Sequence, residues 1–343
     1  MQSTQDKIRK LNKLATEYTK EILHEVFGHT DEHQAVIVYD TNSVLSNILA
    51  TAYQESLPKA KCINFNTTAA EDILATLNAL DALDIVILIQ STNFRLDAFR
   101  IRVELFKRKI KVLEHPHLSR ISDDEMPIYI NALKYDTHYI KEIGQALKGK
   151  IDSGLNTVID SNNALLTFPV GLEPAKLNIG DYTPMPNIGG QFPIGEVFTE
   201  SKELRAVHGR VNIFAFADLS YRVNKPKKPI TLIIEEGIVV SCENSTPAFD
   251  DMINLIREGE EVVWVRELGF GLNRGMSKVD IVSDIGSYER MCGVHLSLGA
   301  KHGMYGKPGF KRGDGKFHID VFVDTKTVHI DDQLIFKDEG WIV

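Results

Sequence analysis

The sequence predicts an α/β fold: a doubly wound parallel-sheet domain over residues 1–150, followed by an α+β domain over residues 151–343 that carries a metal site. Three observations predict it. Short apolar runs alternate with amphipathic segments through the first 150 residues, as in a parallel sheet covered on both faces by helices. Near residue 150 the pattern changes to short β-like segments separated by polar, Gly and Pro turns. A chain of 343 residues also exceeds what one hydrophobic core usually serves, so two domains with a substrate cleft between them are expected.

In order along the first domain, residues 3–27 place Ile8, Leu11, Leu14, Ala15, Tyr18, Ile22, Leu23 and Val26 at helical spacing, which predicts an amphipathic helix stopping near Gly28. AVIVYD (35–40) reads as a buried strand, SVLSNILATAYQES as a helix, KCINF as a strand and AAEDILATLNAL as a helix. DIVILIQS (84–91) is a further buried strand, Phe94 to Lys107 a helix, IKVLEH (110–115) a strand and 123–148 helical material. Asp40, Ser91 and Thr92 fall at strand ends, the edge where open α/β sheets bind ligands. No GxGxxG follows the first strand, however, and no P-loop pattern occurs, so neither a dinucleotide nor a nucleotide is expected. Asp40 and Thr41 read instead as a helix N-cap region.

In the second domain NTVID, ALLTFPV, RVNIFAFADLS and ITLIIEEGIVVSCE read as strands. The stretch 180–200 holds prolines and the adjacent Gly189 and Gly190, which predict an irregular, functional loop ahead of the acidic GEVFTE. PAFDDMINLIRE (247–258) is a helix. VVWVREL (262–268) is a strand in which Val263, Val265 and Glu267 are expected to share one face. A carboxylate on an apolar face must be neutral, paired or metal-bound, because an unpaired buried charge is costly. The following GFG suits backbone approach to a site as well as a phosphate. TVHIDDQLIF and WIV close the chain as hairpin material with Asp331 and Asp332 in a turn.

Composition narrows the function. The chain is 43% hydrophobic and 25% charged, ordinary for a globular enzyme, and its net charge of -8 gives none of the basic field that nucleic acid or an anionic membrane requires. A small-molecule partner is expected. No apolar run reaches membrane-spanning length and the N-terminal residues lack an apolar signal core, so the expected location is cytoplasmic. Three cysteines without CxxC spacing predict no disulfide framework; Cys62 and Cys242 read as small strand residues, and Cys292 as a weak candidate behind the site.

The candidate site lies in residues 291–320. In FHIDVFV the alternation sends His318 and Asp320 to one face, and in GVHLSLG it sends His295 and Ser297 away from the core. An imidazole beside a carboxylate is half of a divalent-metal site. His302 follows His295 by seven residues in a glycine-rich loop, and GKPGFKRGDGK (306–316) reads as a basic loop flanking the site.

The order GEVFT, ELGFGLN, GVHLSLG and HID resembles the aminopeptidase T family, the M29 metallopeptidases, and its short relatives that include 2,5-dihydroxypyridine 5,6-dioxygenase. The resemblance covers residues 180–343 and implies a metalloenzyme, with Glu196, Glu267, His295, His318 and Asp320 as metal ligands and a homo-oligomer, a dimer, as the assembly. Where the peptidases carry a tyrosine this chain carries His302, a sixth candidate ligand. Three functions follow. A hydrolase would use two divalent ions such as Zn, Co or Mn to cleave an amide or peptide bond, with Glu196 or Glu267 bridging or acting as base and His302 as ligand or oxyanion donor. An oxygenase would use one Fe(II) on His302, His318 and Asp320 or Glu267. A catalytically silent binding protein would merely keep the fold.

Overall fold

The computed structural model describes residues 4–96, 100–182, 185, 187–310 and 315–343. The chain forms two compact units, one from residues up to 137 with 180–194 and 282–287, the other from 138–179, 195–281 and 288–343.

The first unit opens with α1 (Thr4–Glu21), whose stripe of Leu11, Ala15 and Tyr18 is buried and which runs on as a π-helical turn over Ile22–Val26. There follow β1 (Ala35–Tyr39), α2 (Val44–Ser56), β2 (Lys61–Asn64), α3 (Ala70–Asn78), β3 (Ile85–Ile89), α4 (Ile101–Lys107), β4 (Lys111–His115) and α5 (Met126–Ala132). The β-branched runs of β1 and β3 are buried on both faces, as central parallel strands require. Ser43, not Asp40, caps α2: its Oγ accepts the Ser46 N–H at 3.0 Å. Asp40 is buried and takes the Ser91 N–H at 2.7 Å and its hydroxyl at 2.5 Å, tying the end of β1 to the end of β3.

One expectation here needs correction. The helix proposed from Phe94 starts at Ile101; Phe94 lies outside it, stacked on Phe65 at 4.1 Å with its N–H donated to the Gln90 side chain, and 97–99 lie outside the described residues. The helical material at 123–148 is two helices, α5 and α6 (Thr137–Ser153).

Beyond α6 come β5 (Thr157–Asp160), β6 (Leu165–Phe168), β7 (Lys176–Asn178) and β8 (Gly189–Gln191). β8 overturns the irregular reading of this stretch, although residues 183, 184 and 186 lie outside the described ones. It pairs parallel with β4 and completes a five-stranded sheet of order β2-β1-β3-β4-β8. The paired glycines permit the strand rather than forbid it. Gly189 has φ +127°, and a Cβ there would stand 1.9 Å from the Val112 carbonyl oxygen.

The second unit continues with β9 (Glu196–Glu200), β10 (His208–Ala217), β11 (Val223–Asn224), β12 (Ile230–Glu235), β13 (Ile238–Glu243), α7 (Pro247–Glu260), β14 (Val265–Gly271) and β15 (Gly293–Leu298), while α8 (Ile285–Tyr288) between the last two falls almost wholly in the first unit. It closes with β16 (Ile319–Val323), β17 (Thr327–Ile330), β18 (Gln333–Lys337) and β19 (Gly340–Trp341). Among the described residues these strands and β5–β7 build a curled antiparallel sheet of 14 strands. Thr246 caps α7 with Pro247 in its first turn, and Phe249, Met252, Ile253 and Ile256 bury its apolar face, each contributing about 1.5–3 kcal/mol of transfer free energy. No helix among the described residues is long and apolar enough to cross a membrane.

Candidate metal centre

The centre rests on four neighbouring strands in the order β16-β15-β14-β9. Gly271 stands opposite Glu196, Glu267 opposite Glu200, Gly269 opposite His295 and Ser297 opposite Asp320. Directly paired residues share a face, so Glu196, Glu200, Glu267, His295 and Asp320 project together. Val197, Leu268, Val294, Leu296, Leu298 and Val321 fill the buried opposite face.

Glu267 reaches this face by a route the sequence reading missed. The register between β14 and β15 shifts between Val265 and Leu268, a β-bulge. Val265 therefore lies opposite Leu298 on the core side while Glu267 joins Glu200, so the expectation that Val265 and Glu267 share a face is wrong. The glycines after it admit a neighbour: a Cβ on Gly269 would lie 2.0 Å from His295 Cε1, and one on Gly271 1.9 Å from the Met291 carbonyl oxygen. Backbone approach, not phosphate binding, accounts for the GFG.

The six candidate residues converge around Glu267. His295 Nε2 is 3.2 Å from Glu196 Oε1 and 3.6 Å from Glu267 Oε1. His302 Nδ1 is 3.1 Å from Glu267 Oε2, and its side chain, 3% exposed, points inward rather than into solvent. His318 Nε2 lies 4.0 Å from Glu267 Oε1 and 3.3 Å from Asp320 Oδ1. The Nδ1 of His318 faces the Lys301 carbonyl at 3.0 Å, which fixes the proton there and frees Nε2. Two potential ligand groups result, Glu196–Glu267–His295 and Glu267–His302–His318, each with its donor atoms within 4.8 Å of one another.

Two donor atoms on the ion-facing side, His295 Nε2 and Asp320 Oδ1, are buried without a hydrogen-bond partner. Such orphaned atoms are costly in an apolar interior and fit the coordination of a divalent cation by carboxylate and imidazole. Burial works to raise the Glu267 carboxyl, but the surrounding imidazoles of His295, His302 and His318 hold it far below the usual range. Burial works to lower His318, yet the charges of Asp320 and Glu267 push it up to about 10. His295 is raised in the same way, against its burial, by Glu196 and Glu267. Protons on imidazoles thus do in the metal-free centre what a cation would do, and ion binding displaces them.

Several residues that the sequence reading did not single out support the centre. Arg290 Nη1 holds Glu196 Oε2 at 3.0 Å and also contacts Glu289, whose burial pushes its carboxyl up to about 8 despite Arg290. Arg266 and Lys307 flank Glu200, whose burial raises its carboxyl against both cations. The Ser297 hydroxyl accepts the Glu267 N–H at 3.0 Å. Of these, Glu200 alone carried a readable signal, standing four residues after Glu196 on the same strand face. Cys292 does not join the centre; its thiol donates to the Glu339 carbonyl at 3.5 Å. A cavity of about 670 Å³ opens at His302, lined by Arg266, Lys301, Met304, Tyr305 and Phe310. Residues 311–314 of the expected basic loop lie outside the described residues.

A parallel α/β unit together with a curled antiparallel sheet is a fold found among solved enzymes. The chain is similar in structure to 2,5-dihydroxypyridine dioxygenase from Pseudomonas putida KT2440, with TM-score 0.62 and 15% identity over 97% of this chain and 98% of that one. It is also similar to wild-type AmpT, an aminopeptidase T, from Thermus thermophilus, with TM-score 0.54 and 12% identity over 98% of this chain and 99% of that one. No protein-family model and no curated protein sequence matches the chain. The resemblance read from four short motifs is therefore present in the fold, while these identities leave hydrolase and oxygenase chemistry both open.

Proposed function

We propose that this protein is a metal-dependent hydrolase that cleaves an amide or peptide bond in a small molecule or short peptide. One observation carries the reading: the two ligand groups share a single buried carboxylate, Glu267, as a bridging ligand between two ions would be shared. Glu196 and His295 would hold one ion, His302 and His318 the other, with Asp320 beside His318 completing the set. The donors are hard or borderline, suited to Zn, Co or Mn. Bound there, such ions polarise a carbonyl and make hydroxide available from water near neutral pH.

The residues divide the remaining work. Glu267 is held ionised and serves as ligand. Glu196 gives Oε2 to Arg290 and keeps Oε1 on the site side, so the guanidinium fixes the oxygen that would serve as ligand. The cavity beside His302 receives the substrate, and its Met304, Tyr305 and Phe310 lining favours an apolar or aromatic group.

A second reading has its own observation: Glu267, His302 and His318 alone form a two-histidine, one-carboxylate set, the ligand type of mononuclear Fe(II) oxygenases. Metal analysis of protein purified without added metal and under exclusion of oxygen separates the two. Two equivalents of Zn, Co or Mn with amide hydrolysis support the hydrolase, one equivalent of Fe supports the oxygenase, and no bound metal under any condition overturns both in favour of a silent binding protein. We also propose a homodimer in the cytoplasm; sedimentation of a 38.5 kDa species alone at micromolar concentration would contradict the dimer.

A further inference from the structure

Glu200 is a buried carboxylate to which the hydrolytic reading gives no part. It is 0% exposed and gripped by two cations. Arg266 donates Nε to its Oε2 at 3.0 Å and Nη2 to its Oε1 at 3.3 Å, and Lys307 Nζ stands 3.5 Å from Oε1. Lys307 is immobilised in turn by Glu173 Oε1 and the Ser201 carbonyl, both at 2.5 Å, and the Lys202 carbonyl at 3.0 Å. Arg266 Nη1 reaches forward to the Ala300 carbonyl at 2.8 Å, at the root of the loop that carries His302. The orphaned His302 Nε2 stands 3.8 Å from Glu200 Oε2, on the far side of the ring from Nδ1 and Glu267.

We propose that Glu200 is a positioning residue for His302: it accepts a hydrogen bond from Nε2–H and so leaves Nδ1 unprotonated and turned to the ion shared with Glu267 and His318. The proposal rests on the metal-centre reading above. A ligating imidazole needs its lone pair on the ion-facing nitrogen and its proton on the other, and a carboxylate behind the ring secures both tautomer and orientation. His318 already shows this arrangement, with the Lys301 carbonyl behind its Nδ1. A movement of about 1 Å at His302 Nε2 brings it to hydrogen-bond distance of Glu200. The clamp of Arg266 and Lys307 keeps the carboxylate from moving away instead.

The alternative is that Glu200 only neutralises Arg266 and Lys307. Chelator-competition titrations with Zn²⁺ on the full chain distinguish the two, using wild type, Glu200→Gln, His302→Ala and the double variant. The expected result is one ion weakened about 10–100-fold in Glu200→Gln, with no further loss when the same change is made in His302→Ala. Wild-type affinity in Glu200→Gln, or an equal loss in both backgrounds, overturns the proposal while leaving the metal centre intact. A wild-type chain that binds no ion overturns the metal centre itself, and the proposal with it. Should Glu200→Gln not fold, ¹⁵N-imidazole NMR of Zn²⁺-loaded wild type decides: a proton on His302 Nε2 supports the assignment, and a proton on Nδ1 refutes it.

Discussion

Replacing Glu267 by glutamine tests the shared-carboxylate centre most directly. The change preserves shape and removes one negative charge from a point 3.1 Å from His302 Nδ1, 3.6 Å from His295 Nε2 and 4.0 Å from His318 Nε2. Groups that merely support a ligand are worth about 10–100-fold in metal affinity, so loss of a charged ligand should weaken each ion by at least about 100-fold, or about 2.7 kcal/mol. Because Glu267 belongs to both ligand groups, both ions should go together, whereas Glu196→Gln should release only one. In the metal-free protein the cost should stay below the about 3–5 kcal/mol of a broken buried ion pair, since the imidazoles can shed their protons. Metal stoichiometry by mass spectrometry, with chelator competition for the affinities, reads the pattern. A Glu267→Gln protein that loses a single ion and keeps the other at wild-type affinity would refute the sharing.

Three further outcomes are expected. Gly269→Ala places a Cβ 2.0 Å from His295 Cε1, so it should destabilise by about 1–3 kcal/mol in urea unfolding and lower metal content; unchanged metal would show that the ring tolerates displacement. In metal-free protein His318, raised to about 10, contributes stability that is fully present below about pH 6.5 and is lost as pH rises towards 10. The Tm gap between wild type and His318→Gln should therefore shrink across that range, and a gap that widens would contradict the assignment. Tyr53→Phe removes the donor 2.8 Å from His115 Nε2, an imidazole that burial keeps neutral by lowering it to about 3; the unmet acceptor should cost about 1–3 kcal/mol in the same urea assay, and a neutral change would refute the hydrogen-bond assignment.

Where a residue's placement depends on local periodicity, the sequence was readable. The alternation in GVHLSLG and FHIDVFV put His295 and Asp320 on the shared face, because an uninterrupted strand has a period of two, and His318, directly before β16, lies beside Asp320. Glu267 was read as important for the right reason, a carboxylate in an apolar strand, but its companions were misjudged, since a bulge leaves no mark in hydropathy. Gly189 and Gly190 look like a breaker in isolation and become a strand only where β4 comes close enough to exclude a side chain. The clamp of Arg266 and Lys307 on Glu200 was illegible for a different reason. Its meaning is one of pairing, and Glu200 meets Arg266 across 66 positions and Lys307 across 107, a register that a single sequence does not reveal.

Glu260, at the end of α7, accepts the Ala300 N–H at 2.6 Å on one carboxylate oxygen, and the N–H groups of Lys316 and Phe317 at 2.5 and 2.9 Å on the other. One side chain therefore staples the departure and the return of the glycine-rich excursion that carries His302. With both feet fixed, closing a longer or shorter excursion changes the entropic cost only logarithmically, by about 0.6 kcal/mol per doubling of length. Insertions and deletions beyond His302 can accumulate there without shifting His318 or Asp320, which follow the staple on β16 or directly before it. The loop beyond His302 is in this way free to diversify, while the strands that hold Glu196, Glu267, His295 and Asp320 inherit none of the change.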